Sequence, residues 1–213
     1  AGDALTTGGE NVALGYAALS ADDVGGHSTA VGAFALQVQN FATATDSQNT
    51  AVGYAAGNQV TTGMENTFIG SLAGDATTDA DFNVAIGHAS LTTNQLGSHS
   101  VAIGRAALFT QNPTGASNMY NTAVGSSAGE SVTTGIQNTL IGGLAGDALT
   151  DADNNTALGY LALSAETNNN GNTAIGAEAL KVQNAGSGGD ARNTAVGFLA
   201  GAAVSTGTQN TLI

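Results

Sequence analysis

A pentapeptide close to Asn-Thr-Ala-Val-Gly returns twelve times in 213 residues and keeps its register throughout. The motif glycines are Gly15, Gly32, Gly53, Gly70, Gly87, Gly104, Gly125, Gly142, Gly159, Gly176 and Gly197, and the twelfth copy, Asn210-Thr211-Leu212-Ile213, stops one residue before its own. The intervals run 17, 21, 17, 17 and then repeat, so Gly15, Gly87 and Gly159 stand 72 residues apart. A fixed period of this kind marks a solenoid or fibre array, in which each repeat contacts only its neighbours. The chain therefore reads as one array of three cassettes, residues 1–72, 73–144 and 145–213. Neither end carries a polar capping segment, so it is expected to be a window of a longer array.

A 17-residue unit with a β-branched residue near its centre, several glycines and almost no proline is too short for a helical hairpin and suits one turn of a β-solenoid. The predicted fold is all-β, a parallel β-roll or β-helix of twelve coils of 17 or 21 residues. The residue before the motif Gly is always aliphatic, from Leu14 and Val31 to Val196 and Ile213, and the residue two earlier is Thr or Val. Alternation puts both on one side of a strand, and that side is expected to face the interior. Ala follows three residues after the motif Gly in every coil except at Ser90, which predicts a wall close enough to admit only small side chains. Ten copies begin with Asn and two with Ser (Ser28, Ser100). That column either stacks amides along the axis, as in parallel in-register strands, or suits the turn before each strand. The repeated Gly fits a corner needing positive φ or close backbone approach, and no Gly-Lys-Ser/Thr follows it to make a phosphate loop.

The charge balance narrows the partners. Formal net charge is −13, with Arg105, Lys181 and Arg192 the only strong cations, so a nucleic-acid duplex or anionic membrane is repelled. The sequence has no run of roughly 18 apolar residues that would span a membrane. Absence of Cys leaves the redox compartment open.

The Asn-Thr-Ala-Val-Gly-x-x-Ala pattern, with Val60-Thr61-Thr62-Gly63 and Val132-Thr133-Thr134-Gly135 between copies, resembles the head repeats of trimeric autotransporter adhesins and the similar repeats of bacteriophage tail fibres. The resemblance covers the whole chain. It implies a left-handed parallel β-roll, commonly a homotrimer, displayed outside a cell or virion and used for attachment to a host-surface glycan or protein. The chain differs in its longer coil and strict four-coil cassette, and coils of this length can also close a core within one chain. The expected partners are thus other copies of itself, as a homotrimer or by end-to-end and lateral assembly.

Two features go beyond a bare scaffold. The extra residues of the long coils fall in 37–48, 109–120 and 181–192, each with a Gln-Asn pair: Gln39-Asn40, Gln111-Asn112 and Gln183-Asn184. Such loops on a constant scaffold are expected to project as surface recognition elements. The second feature is acidic: Asp75, Asp79 and Asp81 precede Asn83, and Asp147, Asp151 and Asp153 precede Asn155. Alternating oxygen donors on one turn suit Ca²⁺, although the distal Glu of an EF-hand loop is missing, and no cofactor is required by anything else in the chain. His27, His88 and His99 are scattered without repeated carboxylate or Ser partners, so no catalytic residue is assigned. The expected function is a structural fibre or adhesin segment. An ice-binding solenoid is the alternative, and a polysaccharide-active solenoid enzyme the remaining one.

Overall fold

The computed structural model describes residues 1–186 and 188–213; Ser187, in the third long coil, lies outside the described residues. Every regular element among them is a β-strand, and the fold is a parallel β-solenoid of about twelve turns. The chain divides into two compact units, Ala1–Ser100 with Asn112–Asn118, and Val101–Gln111 with Met119–Ile213.

In the first unit the motif strands Val12–Leu14, Thr29–Val31, Thr50–Val52, Thr67–Ile69 and Val84–Ile86 pair successively in parallel without stagger, so Thr29 opposes Thr50, Ala30 opposes Ala51 and Val31 opposes Val52. The second unit repeats this with Val101–Ile103, Thr122–Val124, Thr139–Ile141, Thr156–Leu158, Thr173–Ile175, Thr194–Val196 and Thr211–Leu212. Three two-residue ladders, such as Gly25–Gly26 with Thr45–Asp46, mark where the long coils widen.

The strands face the opposite way from the expected one. Their middle residues, Ala30, Ala51, Phe68, Ala85, Ala102, Ala123, Leu140, Ala157, Ala174 and Ala195, are fully buried. The flanking Thr or Val and the aliphatic residue point outward, half-buried or exposed. The sequence pattern misleads because the small middle Ala carries little apolar signal, while alternation alone cannot say which side is inside.

The core explains why the period is four coils rather than one. In two coils of each cassette the fourth residue after the motif Gly is a buried Leu, as at Leu19, Leu36, Leu91, Leu108, Leu163 and Leu180, opposite a mid-strand Ala. In the other two it is Gly, and a single large mid-strand side chain, carried by the second of them, fills the space of both. A Cβ on Gly74 would lie 2.3 Å from the Phe68 ring, and one on Gly57 2.8 Å from it. Leu140 fills the same space in the second unit, where a Cβ on either Gly129 or Gly146 would approach it to 2.7 Å. Interiors are packed to crystal-like density, so one large residue per four coils fixes which neighbours must be glycine. The Ala column three residues after the motif Gly, including Ala18, Ala35, Ala56 and Ala73, is buried as expected.

The motif asparagines form a side-chain ladder inside the coil. Asn49 Oδ1 accepts the main-chain N–H of Asn66 at 2.9 Å, Asn66 Oδ1 that of Asn83 at 3.0 Å, and Asn83 Oδ1 that of Ser100 at 2.9 Å. Asn121, Asn138, Asn155 and Asn172 continue the pattern in the second unit with distances of 2.9–3.1 Å. All of these amides but that of Asn172 also donate to a carbonyl fourteen residues on, for example Asn66 Nδ2 to Ala80 O at 2.8 Å. These side chains are fully buried, which a turn preference alone does not require. The burial is tolerated because the groups are hydrogen-bonded.

Candidate functional site

The widened long coils do not present their Gln residues to solvent. Gln39, Gln111 and Gln183 are fully buried, which corrects their reading as surface recognition residues. Four extra residues enlarge the interior where Ser replaces the column Asn in the first two cassettes, and a longer amide reaches into that space. Gln39 Nε2 donates to Asp22 Oδ2 at 2.7 Å and Ser28 Oγ at 3.0 Å, while Gln39 Oε1 accepts from Asn49 Nδ2 at 2.8 Å. Gln111 Oε1 likewise accepts from Asn121 Nδ2 at 2.9 Å. Of the paired asparagines, Asn40 is exposed, and Asn112 and Asn184 are half-buried. Asn184 Nδ2 donates to Ala165 O at 3.1 Å. The exposed part of the long coils is the stretch after the pair, such as residues 42–44 and 116–118.

The six aspartates do not converge. Asp81 Oδ1 accepts the Met64 N–H at 2.8 Å, and the Asp81 N–H in turn donates to Ser98 Oγ at 3.0 Å. Asp153 does the same between Ile136, at 2.8 Å, and Asn170, at 2.8 Å. The Asp-x-Asn spacing therefore reflects a second coil-to-coil ladder two residues before the Asn column. Asp79 Oδ1 accepts from Thr61 and Thr62 hydroxyls at 2.7 and 3.0 Å, and Asp151 Oδ1 from Thr150 at 3.2 Å. Among the described residues no three acidic or histidine side chains meet in a metal-holding arrangement.

Asp75 and Asp147 occupy equivalent cassette positions, five residues after Gly70 and Gly142. Each has a buried Oδ1 without a hydrogen-bond partner among the described residues. Desolvation raises both carboxyls above the usual aspartate value, with Glu130 adding to the rise at Asp147. A raised folded-state pKa means that the folded chain binds protons more readily than the unfolded one. The resulting stabilisation is full below the ordinary value of 3.8 and is lost as pH rises through the raised values. Thermal stability is thus expected to increase on acidification from neutrality, less steeply in an Asp75→Asn/Asp147→Asn chain. Melting curves of both chains across this range check it, and identical slopes would show that the two carboxyls play no part.

Among the described residues, nothing covers two exposed features. The first is the outer sheet face, with Thr29, Thr50 and Thr67 beside Val31, Val52 and Ile69 in the first unit, and Thr122, Thr139 and Thr156 beside Val124, Ile141 and Leu158 in the second. Val52 and Ile69 remain 36% and 38% exposed even with neighbours on both sides. The second is a chain of rings just past the Gly corner. Tyr16 and Phe34 meet edge to face with centroids 5.4 Å apart, and Phe34 and Tyr54 do so at 5.8 Å. Neither was legible in the sequence, since the first needed the direction of the strand and the second the stacking of residues 18 or 20 apart.

Compared with protein-family models, curated proteins and solved structures, the chain has no match. No helix among the described residues is long and apolar enough to cross a membrane.

Proposed function

We propose that the chain is a segment of an extracellular structural or attachment fibre, in the manner of adhesin head and tail-fibre repeats, and that it assembles with copies of itself. The observation that carries this reading is the outward Thr/aliphatic face. Continuous aliphatic columns left open to water are a mark of interaction surfaces. The face itself carries no charge, whereas the chain has a net charge of −13. An identical face is therefore a well-matched cover: it adds apolar contact without bringing acidic side chains into the interface. Removing a side chain exposed by about 40% from water contributes roughly 0.5–1 kcal/mol. The sum grows with each coil because the columns are continuous.

Light scattering on the native particle tests the reading. The expected mass is near three times 20.7 kDa, falling to one chain when Val52→Lys and Ile69→Lys place charges in the column. A single-chain mass for the unaltered protein would sink it.

The same observation favours a second reading. A regular outward Thr column beside aliphatic residues on a parallel sheet is suited to ordering water. A monomer that shows thermal hysteresis, lost on replacing Thr50 and Thr67 by Lys, would select this reading over the fibre.

A further inference from the structure

We propose that the groove between the Phe34–Tyr54 ring pair and Asp75 binds a neutral saccharide, one sugar ring lying against the aromatic side with its hydroxyls on the polar side. The groove has a volume of about 320 Å3, within the range of small-ligand sites. One side is apolar, formed by Phe34, Tyr54 and Leu72, and the other carries Gln37, Asn58 and Asp75. The apolar side is exposed, with Tyr54 55% accessible and held edge to face by Phe34. The polar side is pre-positioned: Asn58 Nδ2 donates to Phe34 O at 3.1 Å and Gln37 Oε1 at 3.0 Å, and Gln59 Nε2 donates to Asn58 Oδ1.

Asp75 is the unspent group. Its Oδ1 is buried and makes no hydrogen bond among the described residues, so a side-chain rotation that turns it to a hydroxyl donor in the groove relieves a costly unpaired atom. A ligand suited to the groove must offer hydroxyl donors on one edge, an apolar C–H face on the other, and no negative charge in a chain of net charge −13. A sugar ring has this two-sided character. A polyanion has the wrong charge, and a purely apolar ligand leaves Asp75 unpaired. Asp3, at the cassette position of Asp75, also lines a groove with an exposed ring, Tyr16, here contributed by the following coil. Four coils separate the two aspartates, roughly 19 Å at the usual strand spacing. Weak single sites on such a pitch suit a repeating glycan, because linkage multiplies modest affinities.

The proposal deepens the attachment reading and rests on it for its biological use. It is tested by saturation-transfer NMR and tyrosine fluorescence with cellohexaose, maltohexaose, mannohexaose and N-acetylchitohexaose as probes. At least one probe is expected to bind with a dissociation constant on the order of 1 mM. Tyr54→Ala and Asp75→Asn should each weaken it about tenfold, while Tyr120→Ala, an exposed tyrosine outside the groove, leaves it unchanged. The proposal is overturned if none of the four binds, if the two groove variants bind as well as the parent, or if the binding seen is ionic and vanishes in moderate salt. Circular dichroism verifies that each variant folds. Light scattering on the same samples keeps the two ideas apart: an assembled particle without sugar binding strikes the groove alone, and a single chain that binds sugar strikes the fibre alone.

Discussion

Replacing Phe68 by Ala is expected to cost about 3–5 kcal/mol, the usual loss for a buried aromatic ring, and Gly74→Leu should be at least as damaging. Together, the two substitutions should restore most of the stability. The reason lies in the two ways in which a coil of this chain fills its interior. Every coil with a buried Leu four residues after the motif Gly has a mid-strand Ala, as in Ala30 with Leu36 or Ala85 with Leu91, whereas the two coils with Gly57 and Gly74 there share one large side chain, Phe68. The coil of Phe68 has Gly74 at that position, and a Cβ there would sit 2.3 Å from the ring. Phe68→Ala with Gly74→Leu turns this coil into the other kind and leaves only the part of the ring's space beside Gly57 unfilled.

The backbone accepts the exchange. Gly74 has φ +56°, and Leu36, Leu91 and Leu108 occupy the same position with φ of 46°, 54° and 48°. A left-handed Leu carries roughly 1–2 kcal/mol of strain relative to Gly, which sets the expected residual deficit. Urea unfolding of the parent, both single variants and the double variant gives the coupling between the sites. Additive losses, with the double variant the least stable of the four, would refute the two-kind account of the core.

How much of this was legible follows from what each residue contributes on its own. The period, the parallel strands and the coil lengths were readable because Asn, an aliphatic residue and Gly recur at fixed spacing, and repetition outweighs local ambiguity. The direction of the strand was not. Thr50, Ala51 and Val52 alternate equally well either way, and the decision rests on Leu36, Phe68 and the amide ladder crowding one side, contacts 14–17 residues away along the chain. Gln39 was misread for a similar reason: a polar residue in an insertion looks solvated, and only the stacked Asp22, Ser28 and Asn49 show where it finds its partners. Asp81 and Asp153 looked like ion ligands because alternating oxygens serve equally to accept N–H groups from the coil before. The ring chain of Tyr16, Phe34 and Tyr54 had no sequence signature, since these residues sit at two different offsets from their glycines.

The motif glycine is where the largest single-residue effect is expected. Gly53→Ala should lower stability by more than about 3 kcal/mol, whereas Gly115→Ala in the second long coil should be neutral or slightly stabilising. Both substitutions add one methyl group and both restrict the unfolded chain, which by itself favours folding by roughly 0.4–1 kcal/mol. They differ in what the methyl meets. At Gly115 nothing lies within 4 Å of the added Cβ. At Gly53 φ is +143°, which side chains rarely adopt, and the Cβ would stand 2.5 Å from the Gly70 carbonyl oxygen. Backbone strain of this kind costs about 1–3 kcal/mol, and the overlap adds to it. Gly70 cannot move aside freely, since its own Cβ position is 2.6 Å from the Gly87 carbonyl oxygen. The column therefore resists as a stack, and the damage should reach the coils on either side of the substitution. Hydrogen exchange read coil by coil can see this: protection of Thr50–Val52 and Thr67–Ile69 should fall together in Gly53→Ala and stay unchanged in Gly115→Ala. Equal stability of the two variants would mean that the glycine column is tolerant of side chains, and that its repetition has some cause other than the contact between successive corners.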